Sequence, residues 1–227
     1  MAEFRGFGPD ALPFFKALAF HQSKAWFEEN RALYEAQVRG PMQALFADLG
    51  PALAARGIPL TADPKRGLFR INRDVRFSKD KSPYKAHASG VVSRDGTKRA
   101  QGFVYVHVDP AGSFLAAGFW QPEPDRLKAL RDEIAAAPAR FAEMRARLRA
   151  AGLELEAEHA AARMPRGYEA LKGTDAADGV RLKSFIASRT LDEAALRSPA
   201  LVGDVSAFAA DAMPLLSWGW TALGERD

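Results

Sequence analysis

Between residues 65 and 85 the chain carries eight lysines and arginines against two carboxylates, Asp74 and Asp80, with aromatic residues threaded among them. Arginine offers a planar fork of donors that fits phosphate or carboxylate oxygens, and lysine adds a compact charge. Arg70, Arg73, Arg76, Lys79, Lys81 and Lys85, together with Tyr84, are therefore the expected binding residues for an anionic group. A period-two reading puts Arg70 and Arg76 on one strand face with Asp74 between them. There the aspartate would orient the guanidinium groups while their outer donors stay free for a ligand. Arg73 falls on the apolar side, where it needs a partner or a route to water. Pro83 stiffens the loop that presents the lysines. The bland alternative is a ladder of ion pairs to helical carboxylates such as Glu28, Glu29, Glu35 and Asp132.

Two histidines give this segment chemistry beyond charge. His87 ends it, and His107 shares a strand face with Phe103, Tyr105 and Asp109. If the strands that carry them pair, His87 approaches His107, and Asp74 or Asp109 completes a general acid/base group or a metal site. The expected catalytic set is His87, His107 and Asp74. The surrounding cations weigh against a divalent metal, whose ligands should be net negative, so neither metal nor cofactor is expected. Trp26, Asn30 and Tyr34 share one helical face, and Asn30 is included as a ligand-orienting amide, with a backbone-satisfied asparagine as the plainer reading.

Other matches fail on context. The G-x-G-x-x-A spacing from Gly6 to Ala11 has no strand before it and Pro9 inside it, which removes dinucleotide binding. Ser78 to Lys81 and Ser82 to Lys85 have S-x-x-K spacing, but Pro83 and the loop around it cannot set serine and lysine one helical turn apart.

The elements that must hold these residues can be read from periodicity. Helices are expected over residues 10–57: Asp10 caps the first, Ser23 the second, Gly40-Pro41 breaks or kinks the run, and Gly57 stops it. The period then changes to two, with Phe69, Ile71, Val75 and Phe77 on one face. Strands are expected near 68–77, 88–93, 102–109, 114–120 and 182–189, with a hairpin turn at Asp109 to Ser113. Helices return over 124–151, a mixed region begins at 152, and Pro214 should end a last helix capped by Ser198. The expectation is one α+β domain over 1–227, with a mainly antiparallel sheet packed against N-terminal, central and C-terminal helices.

Composition sets the outer bounds. Of 227 residues, 48% are hydrophobic and 26% charged, with fifteen Phe, four Trp and four Tyr, which describes a folded globular chain rather than a disordered one. Without cysteine there are no disulfides, thiolate nucleophiles or Cys-based metal sites. No signal-like N-terminus or membrane-length apolar run is present, so the expectation is a cytoplasmic protein with no membrane partner.

The run from Arg70 to His87 also resembles the signature of the bacterial and fungal family known as domain of unknown function 2461. Similar pieces recur in order: Lys24 to Asn30 with Tyr34, Gly102 to His107 before Pro110, Gly118 to Pro122, Pro165 to Tyr168, and Leu182 to Phe185. The resemblance implies a single intracellular α+β domain and supplies no reaction, cofactor or catalytic residue. From the residues, the leading expectation is an enzyme or binder of a small phosphate- or carboxylate-bearing ligand. A purely structural basic ladder ranks second and a nucleic-acid-binding module third. Oligomeric state is left open.

Overall fold

The computed structural model describes residues 3–76, 79–158 and 160–225. Phe77 and Ser78, which the strand and motif readings touched, lie outside the described residues. The chain is α+β, with one open antiparallel sheet of four strands in the order β1-β2-β3-β4 packed against helices. The strands are β1 (Ala88–Ser93), β2 (Phe103–Val108), β3 (Ser113–Phe119) and β4 (Phe185–Leu191). Strand β2 alternates as its sequence predicts: Val104, Val106 and Val108 are fully buried, whereas Phe103, Tyr105 and His107 lie on a less covered face.

The described residues form two compact units. One comprises residues up to 100, 105–115 and 190–207; the other comprises 101–104, 116–189 and the residues from 208 on. In the first unit, helices α1 (Ala11–Phe20), α2 (Lys24–Glu29), α3 (Arg31–Tyr34) and α4 (Gly40–Ala55) precede β1. Phe14 sits among Phe15, Phe27 and Tyr34, and Leu45, Phe46 and Leu49 of α4 are fully buried. Gly90 in β1 lets α4 approach closely, because a Cβ there would overlap the Phe46 ring. Ser23 caps α2 by accepting from the Trp26 N–H at 3.3 Å, as expected, but Asp10 makes no side-chain cap at α1.

In place of a simple break at Gly40-Pro41, residues Glu35–Arg39 form a π-helical turn that runs into α4. The Gly40 N–H bonds the Glu35 carbonyl, and Pro41 has no N–H to continue an α-helical ladder. A wider turn absorbs the mismatch.

The second unit holds α5 (Pro124–Ala136), α6 (Pro138–Ala150), α7 (Ala177–Arg181) and most of β4. Its aromatic centre joins Trp218 to Phe141 and Phe185. After the short α8 (Glu193–Leu196) comes α9 (Leu201–Ala222), which passes through Pro214 rather than ending there. Proline costs one backbone bond, while Leu215, Leu216, Trp218 and Trp220 beyond it are buried and hold the helix together.

The strand expected at 68–77 is the main local correction. The segment makes isolated antiparallel bridges at Leu68–Gly90 and Asn72–Tyr84 instead of a continuous ladder. Beyond Arg73 the chain turns on itself: Asp74 accepts from the backbone and the guanidinium of Arg76, and Lys81 Nζ donates to the Val75 carbonyl at 2.9 Å. Local side-chain bonds to backbone compete with strand pairing and here replace it.

Candidate functional site

The bridged segment creates the site by a mismatch in length. The Phe69 N–H bonds the Ser89 carbonyl and the Val91 N–H the Gly67 carbonyl, which pairs 67–69 with 89–91. The Lys85 N–H bonds the Ile71 carbonyl and the Arg73 N–H the Pro83 carbonyl, which pairs 71–73 with 83–85. One residue, Arg70, separates these pairings on the first side, and three, 86–88, separate them on the other. The surplus is a bulge, a device that re-aims a side chain, and His87 is at its centre.

There His87 meets His107, with ring centroids 4.5 Å apart. His87 Nδ1 lies 3.8 Å and His107 Nε2 3.4 Å from Asp109 Oδ2. The rest of the cluster is fixed by neighbours. The other face of His107 stacks on Phe114 at 4.7 Å, and its Nδ1 meets the Tyr105 hydroxyl at 3.0 Å. The Ser89 side chain lies near enough to Tyr105 to oppose the burial that raises its pKa. Asp109 Oδ1 accepts the Ala111 N–H of the β2–β3 turn at 2.7 Å, which turns Oδ2 toward the imidazoles. Burial, then the neighbouring His107, pushes the His87 pKa down to about 4, with Asp109 opposing. Burial also lowers that of His107, again against Asp109. Both rings are neutral at pH 7.

Beside the cluster, and within the same unit, is a cavity of about 560 Å³. One wall comes from α2, α3 and the π-helical turn, with Lys24, Arg31, Tyr34 and Arg39; the other comes from Lys65, Phe69, Arg70, Tyr84, His87 and Ser89. Its lining holds five cations and two carboxylates, Glu28 and Glu35. Glu28 forms a two-pronged pair with Arg31, and Glu35 pairs with Arg39. Arg70 makes no ion pair within 4.0 Å among the described residues, although its charge helps to lower the Asp74 pKa. Lys85 donates to the Arg70 carbonyl at 3.2 Å, and its ammonium lies 5.2 Å from the centroid of the Phe69 ring, with Lys98 at 5.6 Å. The Lys85 pKa is lowered, first by burial and then by Arg70, Arg73 and Lys98.

The residues singled out in the sequence are thus divided. Arg70, Tyr84 and His87 line the cavity, and Lys85 lies directly behind Arg70. Tyr84 is buried and stacks on Phe27 at 4.5 Å. Arg73 pairs with Asp80 at 3.1 Å, but its Nε is buried without a partner among the described residues. Arg76 pairs with Asp74 at 2.7 Å, and their hydrogen bonds pull the Asp74 carboxyl down to about 2. Asp74 is therefore not the histidines' partner; Asp109 takes that place. Lys79 and Lys81 are exposed outside the cavity lining, and Asn30 donates to the Trp26 carbonyl at 2.9 Å, outside it too. Glu28, Glu35 and Asp132 pair with Arg31, Arg39 and Lys128 rather than with the basic segment. Tyr105, Ser89, Lys98 and the helical wall of the cavity were missed. For Tyr105 a signal existed, since it shares the face of His107 and Asp109 in the period-two reading.

Fold and site together define an α+β protein with a His-His-Asp cluster on its sheet beside a cavity roofed by helices. The family described as a conserved hypothetical protein (DUF2461) matches over residues 10–218, and the chain belongs to it. Neither curated proteins nor solved structures give a match. Among the described residues no helix is long and apolar enough to cross a membrane.

Proposed function

We propose that this chain binds a small phosphate- or carboxylate-bearing ligand in the cavity of its first unit. The observation that carries the reading is the crowd around Lys85. Burial and the three cations Arg70, Arg73 and Lys98 all disfavour its charge, and Arg70 beside it makes no ion pair within 4.0 Å among the described residues, only a longer-range interaction with Asp74. Cations placed this way raise the free energy of the empty fold, and a bound anion relieves it. The volume of about 560 Å³ suits a metabolite-sized ligand. Glu28 and Glu35 orient Arg31 and Arg39 along the opposite wall, so a ligand with two anionic ends would be gripped from both sides. His87 lines the cavity as a neutral imidazole, which supports a proton-accepting role for it if the ligand is turned over. The lack of cysteine suits a reducing, cytoplasmic setting.

Thermal melting of the full chain against inorganic phosphate, citrate, sugar phosphates and nucleotides tests the reading. A ligand that binds only the native state stabilises it by mass action, by about 2.7 kcal/mol at a hundredfold excess over its dissociation constant, and so raises the melting temperature. At least one of these anions should stabilise the wild type and lose that effect in Arg70→Ala. No response to any of them at millimolar concentration rejects it.

A nucleic-acid reading keeps one point in its favour. Phe69 is 37% exposed and flanked by Lys85 and Lys98, although the sequence pattern placed it inward. An exposed aromatic between two cations can stack on a base.

A further inference from the structure

We infer that His87, His107 and Asp109 form a binding site for a divalent first-row transition metal of the zinc or ferrous type. The inference stands apart from the anion reading, because it rests on three donor atoms and the groups that aim them. Each residue offers one ligand atom, and the three atoms lie within 4.8 Å of one another. Two of the separations are 3.4 and 3.8 Å, both ending on Asp109 Oδ2. Ligands at about 2.0–2.1 Å around a tetrahedral ion are separated by roughly 3.4 Å. The two edges therefore already approach the size of a coordination shell. The third edge must close, and His87, on a two-residue bulge, is the member with room to move.

The surrounding bonds resemble the outer shell of a metal centre. His107 has Nδ1 against the Tyr105 hydroxyl, which leaves Nε2 for a ligand bond and fixes the ring's direction. With a metal on Nε2, Nδ1 would carry the proton and donate to the Tyr105 hydroxyl oxygen. Asp109 has Oδ1 tied to the backbone of its turn, so only Oδ2 is directed inward. Phe114, stacked on His107, limits water on one side.

Nearby cations argue against calcium or magnesium, which need several oxygen donors. They argue less against an ion bound by two neutral imidazoles and one carboxylate, because imidazole suits zinc and iron. Such a three-ligand site keeps open positions, and His87 is shared between the cluster and the cavity wall. An anionic ligand in the cavity could then reach the metal, with His87 serving the ion rather than a proton.

The test uses the full chain without an affinity tag, stripped with chelator and titrated with Zn²⁺ by calorimetry and with Co²⁺ by visible absorption. One equivalent should bind with a dissociation constant below ~10 µM, and Co²⁺ should show the intense bands of a low-coordinate site. His107→Ala and Asp109→Ala should each weaken binding at least ~100-fold, and Tyr105→Phe, which only removes support, about 10-fold. His21→Ala is the control, because His21 is exposed and stacked on Trp26 well away in sequence and wall. Circular dichroism reports folding. If His107→Ala unfolds, His87→Gln on its half-exposed bulge takes its place. Failure to bind either ion, or binding equally strong in His87→Gln and Tyr105→Phe, overturns the inference. Because the readout is metal affinity, its failure leaves the anion response of Arg70 to be judged separately.

Discussion

Lys85 is held where a cation is costly. Its ammonium lies over the Phe69 ring and, among the described residues, hydrogen-bonds the Arg70 carbonyl alone, while burial and three neighbouring charges disfavour it. Residues that lower stability in the empty fold and are placed at a cavity are those a binding role would retain. Lys85→Met keeps a side chain of similar length beside Phe69 and removes the charge. The expected result is a ligand-free chain more stable by up to ~1 kcal/mol, together with a weaker thermal response to anions. A variant less stable than wild type would mean that Lys85 serves the fold. The basic segment and both histidines were legible in the sequence because charge density and strand parity are local properties. The choice of Asp109 over Asp74 was not. Asp74 is satisfied two residues away by Arg76, whereas Asp109 is freed toward His107 by a turn that captures its other oxygen. Such choices depend on which hydrogen bonds close first, and spacing does not reveal that.

At the scale of elements, strands whose two faces meet different surroundings were readable. The alternation in β2 and the turn from Asp109 to Ser113 are where the pattern put them. Residues 68–76 have the same alternation yet make isolated bridges rather than a strand, because Asp74 and Arg76 bond each other and the Val75 carbonyl is taken by Lys81. The helical wall of the cavity was hidden for a different reason. It depends on a π-helical turn at Glu35–Arg39, which follows from Pro41 and carries no periodic signature. Two element-level predictions follow from close approaches in the second unit. Gly118 in β3 has φ of +129°, and a Cβ there would overlap the Phe185 carbonyl oxygen in β4. Gly118→Ala should therefore destabilise the chain by on the order of 3 kcal/mol, measured by urea titration. Tyr168 anchors its loop to α5 through Asp132 at 2.7 Å, and its pKa is raised to about 12, chiefly by burial and then by that carboxylate. A pKa raised on folding contributes stability that is complete below pH 10 and lost as pH rises through about 12. Tyr168→Phe should cost about 1–2 kcal/mol at pH 7. The gap between variant and wild type should then narrow from pH 10 to 12, and a constant gap would mean that the phenol is not protected.

Over the whole molecule, charge is unevenly placed. The net charge is +4, while residues 65–85 alone carry +6, so everything else sums to −2. The cations of that segment are also partly spent: Arg66, Arg73 and Arg76 each pair with a nearby aspartate. A long polyanion meeting this chain would find one short basic stretch and an acidic remainder, whereas a small anion meets only the cavity. Salt separates the two cases. A duplex that neutralises about six cations loses roughly a thousandfold in affinity between ~50 and ~200 mM salt, since each phosphate contact adds about −0.9 to the logarithmic slope. A small dianion engages about two cations and should lose roughly tenfold or less over the same range. Fluorescence titrations of the full chain should therefore give a shallow slope for the best anion from the melting series. Single- and double-stranded oligonucleotides should show no saturable binding at ~150 mM salt. If oligonucleotides bind there with a steep slope, and Phe69→Ala abolishes it, the exposed ring between Lys85 and Lys98 is a stacking platform and the cavity is secondary. If Arg70→Ala removes binding of the small anion and Phe69→Ala leaves it, the cavity is the site. The two substitutions fall on adjacent residues, so each controls for the other's effect on the bulge that holds His87.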